Sequence, residues 1–89
     1  MKKYHFYVTL SFISGYMVCE RGRGNHFRVS YPTKYRAQIV ANALWRLWKN
    51  NSALLDYYKM RISEAADNWE LTKSLCRCAL VHVEALRCV

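Results

Sequence analysis

Cys76, Cys78 and His82 come nearest to a chemical site in type and spacing. Zinc takes thiolate and imidazole ligands, and residues four apart on a helix share a face, so Cys78 and His82 can reach one ion. Cys76 points away from that face. The CxxC spacing of a zinc knuckle is absent, and a full ligand set would have to borrow Cys19 and His26 from far along the chain. The simpler reading is a helix face of small apolar groups with His82 as a hydrogen-bonded core histidine. A thiolate nucleophile needs a base within hydrogen-bond reach. The pairs to consider are Cys78 with His82, and Cys19 with His5 or His26. The strand alternation described below turns Cys19 inward and both histidines outward. No nucleophile elbow or Cys-His signature is present, and the six acids are scattered without an acid–base pair. The expectation is a chain with no catalytic residues, no metal and no cofactor.

Arg21-Gly22-Arg23-Gly24 offers different chemistry. Two guanidinium forks on a short turn can grip a phosphate or a carboxylate. The stretch matches neither GxxxxGKT nor GxGxxG, and it reads equally well as a turn with solvated arginines. It belongs to a cationic front end. Lys2, Lys3, Arg21, Arg23, Arg28, Lys34 and Arg36 face one acid, Glu20, so residues 1–36 carry +6 of the formal +8. The remainder, with seven basic and five acidic residues, is nearly balanced. A pI of about 9.6 suits an anionic partner: nucleic acid, an acidic protein face or a membrane surface.

The elements that must position these groups follow from periodicity. From Tyr4 to Ile13 apolar and polar residues alternate as in a strand. Its inner face is Tyr4, Phe6, Val8, Leu10 and Phe12. Ser14-Gly15 reads as a two-residue hairpin turn, which places Leu10 opposite Cys19 and turns Met17 and Cys19 inward. After the arginine turn, a third strand from His26 to Tyr31 puts Phe27, Val29 and Tyr31 inward, and Pro32 stops it. His5, Tyr7, Thr9, Ser11, Val18, Glu20, His26, Arg28 and Ser30 form the outer face. The sheet thus spans about residues 4–31.

Thr33 caps a helix over 33–49. Ala37, Val40, Ala41, Leu44, Leu47 and Trp48 form its core stripe. Tyr35, Ile39, Asn42 and Arg46 face the other way, with Trp45 at the edge beside Lys49. Asn50-Asn51-Ser52 breaks the helix. Beyond it a 3-4 spacing runs through Leu55, Tyr58, Ile62, Ala65, Trp69, Thr72, Cys76, Ala79, Val83 and Leu86. One helix carrying that whole stripe would be about 55 Å long, more than a three-stranded sheet covers. Asp67-Asn68-Trp69-Glu70 resembles a capping box with Asp67 as the cap. Two helices, 52–66 and 68–88, are therefore expected; the rival is one long helix whose uncovered half packs in a dimer.

Length and composition bound the class. Eighty-nine residues make one domain, and 53% hydrophobic with 15% aromatic residues is too rich for a disordered tail. The alternation after Lys3 is unlike the unbroken apolar stretch of a secretory signal, and the run to Cys19 is short for a membrane span. The four cysteines lack the spacing of a disulfide scaffold. A cytoplasmic, α+β protein is expected, a three-stranded antiparallel meander followed by two or three helices on one face, as monomer or homodimer without a membrane.

Strand-turn-strand-turn-strand followed by Tyr31-Pro32-Thr33-Lys34-Tyr35-Arg36-Ala37 resembles the sheet-type DNA-binding domains of plant ethylene-response factors and the arm-binding domains of phage integrases. Over Phe6 to Leu47 that resemblance implies DNA or RNA contact through His5, Tyr7, Arg21, Arg23, Arg28 and Lys34. The sheet face is thinly basic, however, and contains Glu20. Compact cationic chains without catalytic motifs also resemble the accessory proteins of phages and mobile elements, which bind and inhibit or redirect host machinery. That likeness is one of type, and it implies a host protein partner with an acidic or nucleic-acid-like surface. Interface hot spots favour Tyr, Trp and Arg, so Arg21, Arg23, Arg28, Tyr35, Arg36, Ile39, Trp45 and Arg46 are the expected contacts. Protein docking is the first expectation and direct nucleic-acid binding the second.

Overall fold

A computed structural model describes residues 5–11, 15–22 and 27–87. Three strands, β1 (Phe6–Ser11), β2 (Gly15–Glu20) and β3 (Arg28–Tyr31), form an antiparallel meander in the order β1-β2-β3. Three helices follow: α1 (Lys34–Asn50), α2 (Ser52–Glu64) and α3 (Trp69–Arg87). This is the expected α+β architecture.

The β1–β2 register departs from expectation by three residues. Leu10 stands opposite Tyr16, Val8 opposite Val18 and Phe6 opposite Glu20. An odd shift turns every β2 side chain over. Val18, fully buried, therefore lies between Val8 and Val29 on the core face, while Cys19 lies on the outer face between Tyr7 and Arg28. The physical reason is at Gly15. It pairs with Ser11 instead of occupying a tight turn, at φ +90°, and a Cβ there would come within 2.7 Å of the Tyr31 carbonyl oxygen. Only glycine fits, and that close approach holds β2 in register with both neighbours. Tyr4, Phe12, Ile13 and Ser14, the expected turn positions Arg23 to Asn25, and His26, expected to open the third strand, lie outside the described residues.

Thr33 caps α1 as expected, its Oγ1 accepting the Arg36 N–H at 3.2 Å. Ala37, Val40, Ala41, Leu44 and Leu47 are buried, joined by Ala43. Trp48 is not: it is 43% exposed and stacks on the Trp45 and His5 rings instead of entering the core. Two asparagines form the junction of α1 and α2, Asn50 as the last residue of α1 and Asn51 between the helices. Asn50 donates its amide to the Arg46 carbonyl, and Asn51 accepts from the Ala53 and Leu54 N–H groups while its own N–H bonds the Leu47 carbonyl. One residue thus ends a helix and starts the next.

From Leu55 to Val83 the later stripe is core as expected, and the side chain of Leu86 lies outside those described. Leu55, Tyr58, Ile62, Ala65, Thr72, Cys76, Ala79 and Val83 are buried, and Trp69 packs partly against them. The segment is two helices. The cap of α3 is Asn68, not Asp67: Asn68 Oδ1 accepts the Leu71 N–H at 3.1 Å, and Asp67 stays exposed in the preceding turn. Glu70 does not reach back but pairs with Lys73 at 3.2 Å. Buried Thr72 bonds the Ala65 carbonyl at 2.7 Å, tying the first turn of α3 to the end of α2.

A candidate docking groove

Because α1 packs on the sheet on one side and on α3 on the other, its remaining side forms a narrow stripe. Lys34, Gln38, Asn42, Trp45 and Lys49 recur there at helical spacing. The stripe runs beside β1, an edge strand. Between them lies a depression of about 390 Å³, lined by Phe6, Tyr7 and Val8 from β1 and by Lys34, Gln38, Ala41, Asn42 and Trp45 from α1. It continues, through Asn42 and Trp45, into a second of about 610 Å³ reaching Arg46, Lys49, Asn50 and Val83. No acidic residue is among the described residues lining either one.

The floor of the groove is braced. Gln38 donates to Asn42 at 3.0 Å. Trp45 stacks on Trp48 at 5.1 Å, Trp48 stacks on His5 at 4.4 Å, and the Lys49 ammonium sits 5.5 Å over the Trp45 ring. His5 is fixed in turn by Glu20, 2.7 Å from its Nε2, and Lys59 of α2 meets the same carboxylate at 2.6 Å. Burial acts to raise the Glu20 pKa, but the Lys59 and His5 contacts outweigh it and hold the carboxyl below its ordinary value. This arrangement orients rings and joins β1, β2, α1 and α2. It can bind anionic or planar groups.

The expected contact residues fall into three places. Tyr7, Arg21 and Arg28 share the outer sheet face, with the Arg21 guanidinium 4.7 Å over the Tyr7 ring. Lys34, Trp45 and Arg46 line the groove, and Arg46 also pairs with Glu84 of α3 at 3.7 Å. At the start of α1, Tyr35 is 74% exposed while Arg36 lies 5.0 Å over Trp69. Two expectations need correction. Ile39 is half-buried against the core, because α3 packs over that side of α1. His5 leaves the outer sheet face, because it precedes β1 and is held by Glu20 and Trp48. Arg23 lies outside the described residues. Gln38, Asn42, Trp48, Lys49 and Asn50 were missed. The signal for Gln38, Asn42 and Lys49 was the 34-38-42-45-49 spacing, which reads as a solvated face until β1 is placed beside it; Trp48 and Asn50 lie off that series and join the site only through the Trp45 stack and the second depression.

The thiols and histidines do not converge. Among the described residues no three His, Cys, Asp or Glu side chains could hold one metal ion. His82 is exposed, not core, with its Nδ1 2.8 Å from the Tyr58 hydroxyl. Cys78 is exposed, and burial pushes the Cys76 thiol up to about 11. Among the described residues no helix is long and apolar enough to cross a membrane.

The chain matches no protein-family model, no curated protein and no solved structure.

Proposed function

We propose that this chain is a small cationic binding protein that docks on another protein and modulates it without catalysis. The observation that carries the proposal is the groove along α1. Two guanidinium or ammonium groups at one end, Arg46 and Lys49, and Lys34 at the other flank amide and indole groups, with no acid in the lining. Such a surface steers and orients an acidic partner, while half-buried Trp45 offers apolar contact area. The partner is a host protein with an acidic or nucleic-acid-like surface, in the manner of the accessory proteins of mobile elements. The cytoplasm suits the free cysteines among the described residues, Cys19, Cys76 and Cys78.

A tagged chain should recover one stoichiometric partner, and Trp45→Ala should weaken the complex by about 2 kcal/mol, in the range of interface hot spots. Recovery of no partner, or indifference to Trp45→Ala, would count against docking through this groove. The clustering of Tyr7, Arg21 and Arg28 on the outer sheet face supports a second reading, direct nucleic-acid binding. It requires affinity for DNA or RNA that falls steeply with salt, and a shallower slope once Arg21 and Arg28 are neutralised. A salt-independent or absent response removes it.

A further inference from the structure

The two edges of the sheet are built differently. β3 is four residues long, carries exposed Arg28 and is followed by Pro32. Charge, proline and shortness are the usual protections against unwanted strand pairing. β1 has none of them: Phe6-Tyr7-Val8-Thr9-Leu10-Ser11 is uncharged, lacks proline, and ends beside Leu10, which is 69% exposed.

The hydrogen-bond alternation settles which groups of β1 face outward. Arg21 N–H donates to the His5 carbonyl at 2.7 Å, so His5, Tyr7, Thr9 and Ser11 form the bonded pairs with β2. The N–H and C=O groups of Phe6, Val8 and Leu10 therefore turn to the free edge. No described strand pairs there. The edge opens on the groove, whose other wall is Lys34, Gln38, Asn42 and Trp45.

We infer that the β1 edge receives an extended acidic segment of the partner protein as a fourth, added strand. The inference rests on the docking reading above and specifies its chemistry. Alternating donors and acceptors along Phe6, Val8 and Leu10 match a polypeptide strand. A phosphate backbone offers acceptors only and would leave the carbonyls unanswered. The inward side chains of the added strand lie on α1, where Lys34, Arg46 and Lys49 favour carboxylates. A second copy of this chain fits poorly, because each copy carries +8 and pairing β1 with β1 would bring two cationic grooves together.

The test uses the full chain and an acetylated ten-residue peptide alternating Glu and Val, followed by fluorescence anisotropy and amide hydrogen exchange. Binding should slow exchange at Phe6, Val8 and Leu10 and leave Tyr7 and Thr9 unchanged. N-methylating alternate peptide residues of one parity should lower affinity at least about tenfold, and the other parity should have little effect, since each lost hydrogen bond is worth about 1 kcal/mol. Binding without slowed exchange at those three amides overturns strand addition and leaves groove docking standing. The same holds if a captured partner protein binds and the peptide does not. Failure of both peptide and partner capture sinks both. Displacement of the peptide by oligo-dT of equal charge, with protection of the same amides, would make nucleic acid the occupant and overturn the inference. Protection that rises with the concentration of the chain alone would do so in favour of a second copy.

Discussion

Glu20 stands opposite Phe6 on the core side of β2 with its side chain only 5% exposed, and the Lys59 ammonium and His5 imidazole keep it charged there. Its folded pKa is depressed below 4.5, so its contribution to stability is complete above the unfolded value and is lost as pH falls through the folded one. Glu20→Gln should cost about 1–3 kcal/mol at pH 7, because it leaves Lys59 half-covered and unpaired. Denaturant melts from pH 7 to 3 check the sign: the gap between the two proteins should close as the medium is acidified. A constant gap would mean that charge is not what Glu20 supplies. The thiols give a second residue-scale prediction. Exposed Cys78 should react with a thiol reagent in the native state, while Cys76, buried with its thiol pushed up to about 11, should react only on opening. Mass spectrometry of partly labelled chain reads the order directly. Tyr31 adds a third: its buried hydroxyl has no hydrogen-bond partner among the described residues, and burial, then the nearby Cys76, raise its pKa far above normal. Tyr31→Phe should therefore leave stability unchanged or raise it by up to about 1 kcal/mol in a thermal melt.

At the scale of elements, β2 depends on Gly15. A side chain there meets the Tyr31 and Pro32 carbonyls and an unfavourable positive φ. Gly15→Ala should cost about 1–3 kcal/mol, read as a lowered denaturation midpoint with little change in m-value. The helices were largely legible in the sequence because each boundary has a local cause. Thr33 caps α1, the Asn50-Asn51 pair divides α1 from α2, and the stripe from Leu55 to Val83 is buried almost residue for residue. The cap of α3 was misplaced by one residue, since Asp67 and Asn68 are both good caps and only the Thr72 bond to Ala65 fixes where the turn must start. The strand register was not legible. Tyr16 and Val18 alternate with Met17 and Cys19, and all four are apolar, so either face of β2 reads as the inner one.

At the scale of the molecule, the charge is distributed in pairs more than in stripes. Arg46 meets Glu84, Lys59 meets Glu20, Arg61 meets Glu64 and Lys73 meets Glu70, while Arg21, Arg36 and Lys49 lie over aromatic rings. The exposed pairs Arg46–Glu84, Arg61–Glu64 and Lys73–Glu70 add little stability each, but they leave the groove as a lined concavity free of acids among the described residues. Lys49→Glu should consequently weaken partner binding mainly through a slower association rate, with a reduced salt dependence, and stopped-flow association at two ionic strengths measures it. An unchanged rate would place the docking surface elsewhere.

The sequence by itself determined where the helices start and stop, which of their faces are buried and the overall excess of cations, because capping and helical periodicity act within a few residues. The tertiary structure alone decided that Glu20 and Val18 face the core, that Trp48 stacks on His5, and that a row of polar residues on α1 becomes the wall of a groove. Each of those depends on which surface comes to lie beside a strand or helix distant in the chain. The close approach of Gly15 to Tyr31 and the position of β1 at the sheet edge set that arrangement, and periodicity within one segment does not encode it.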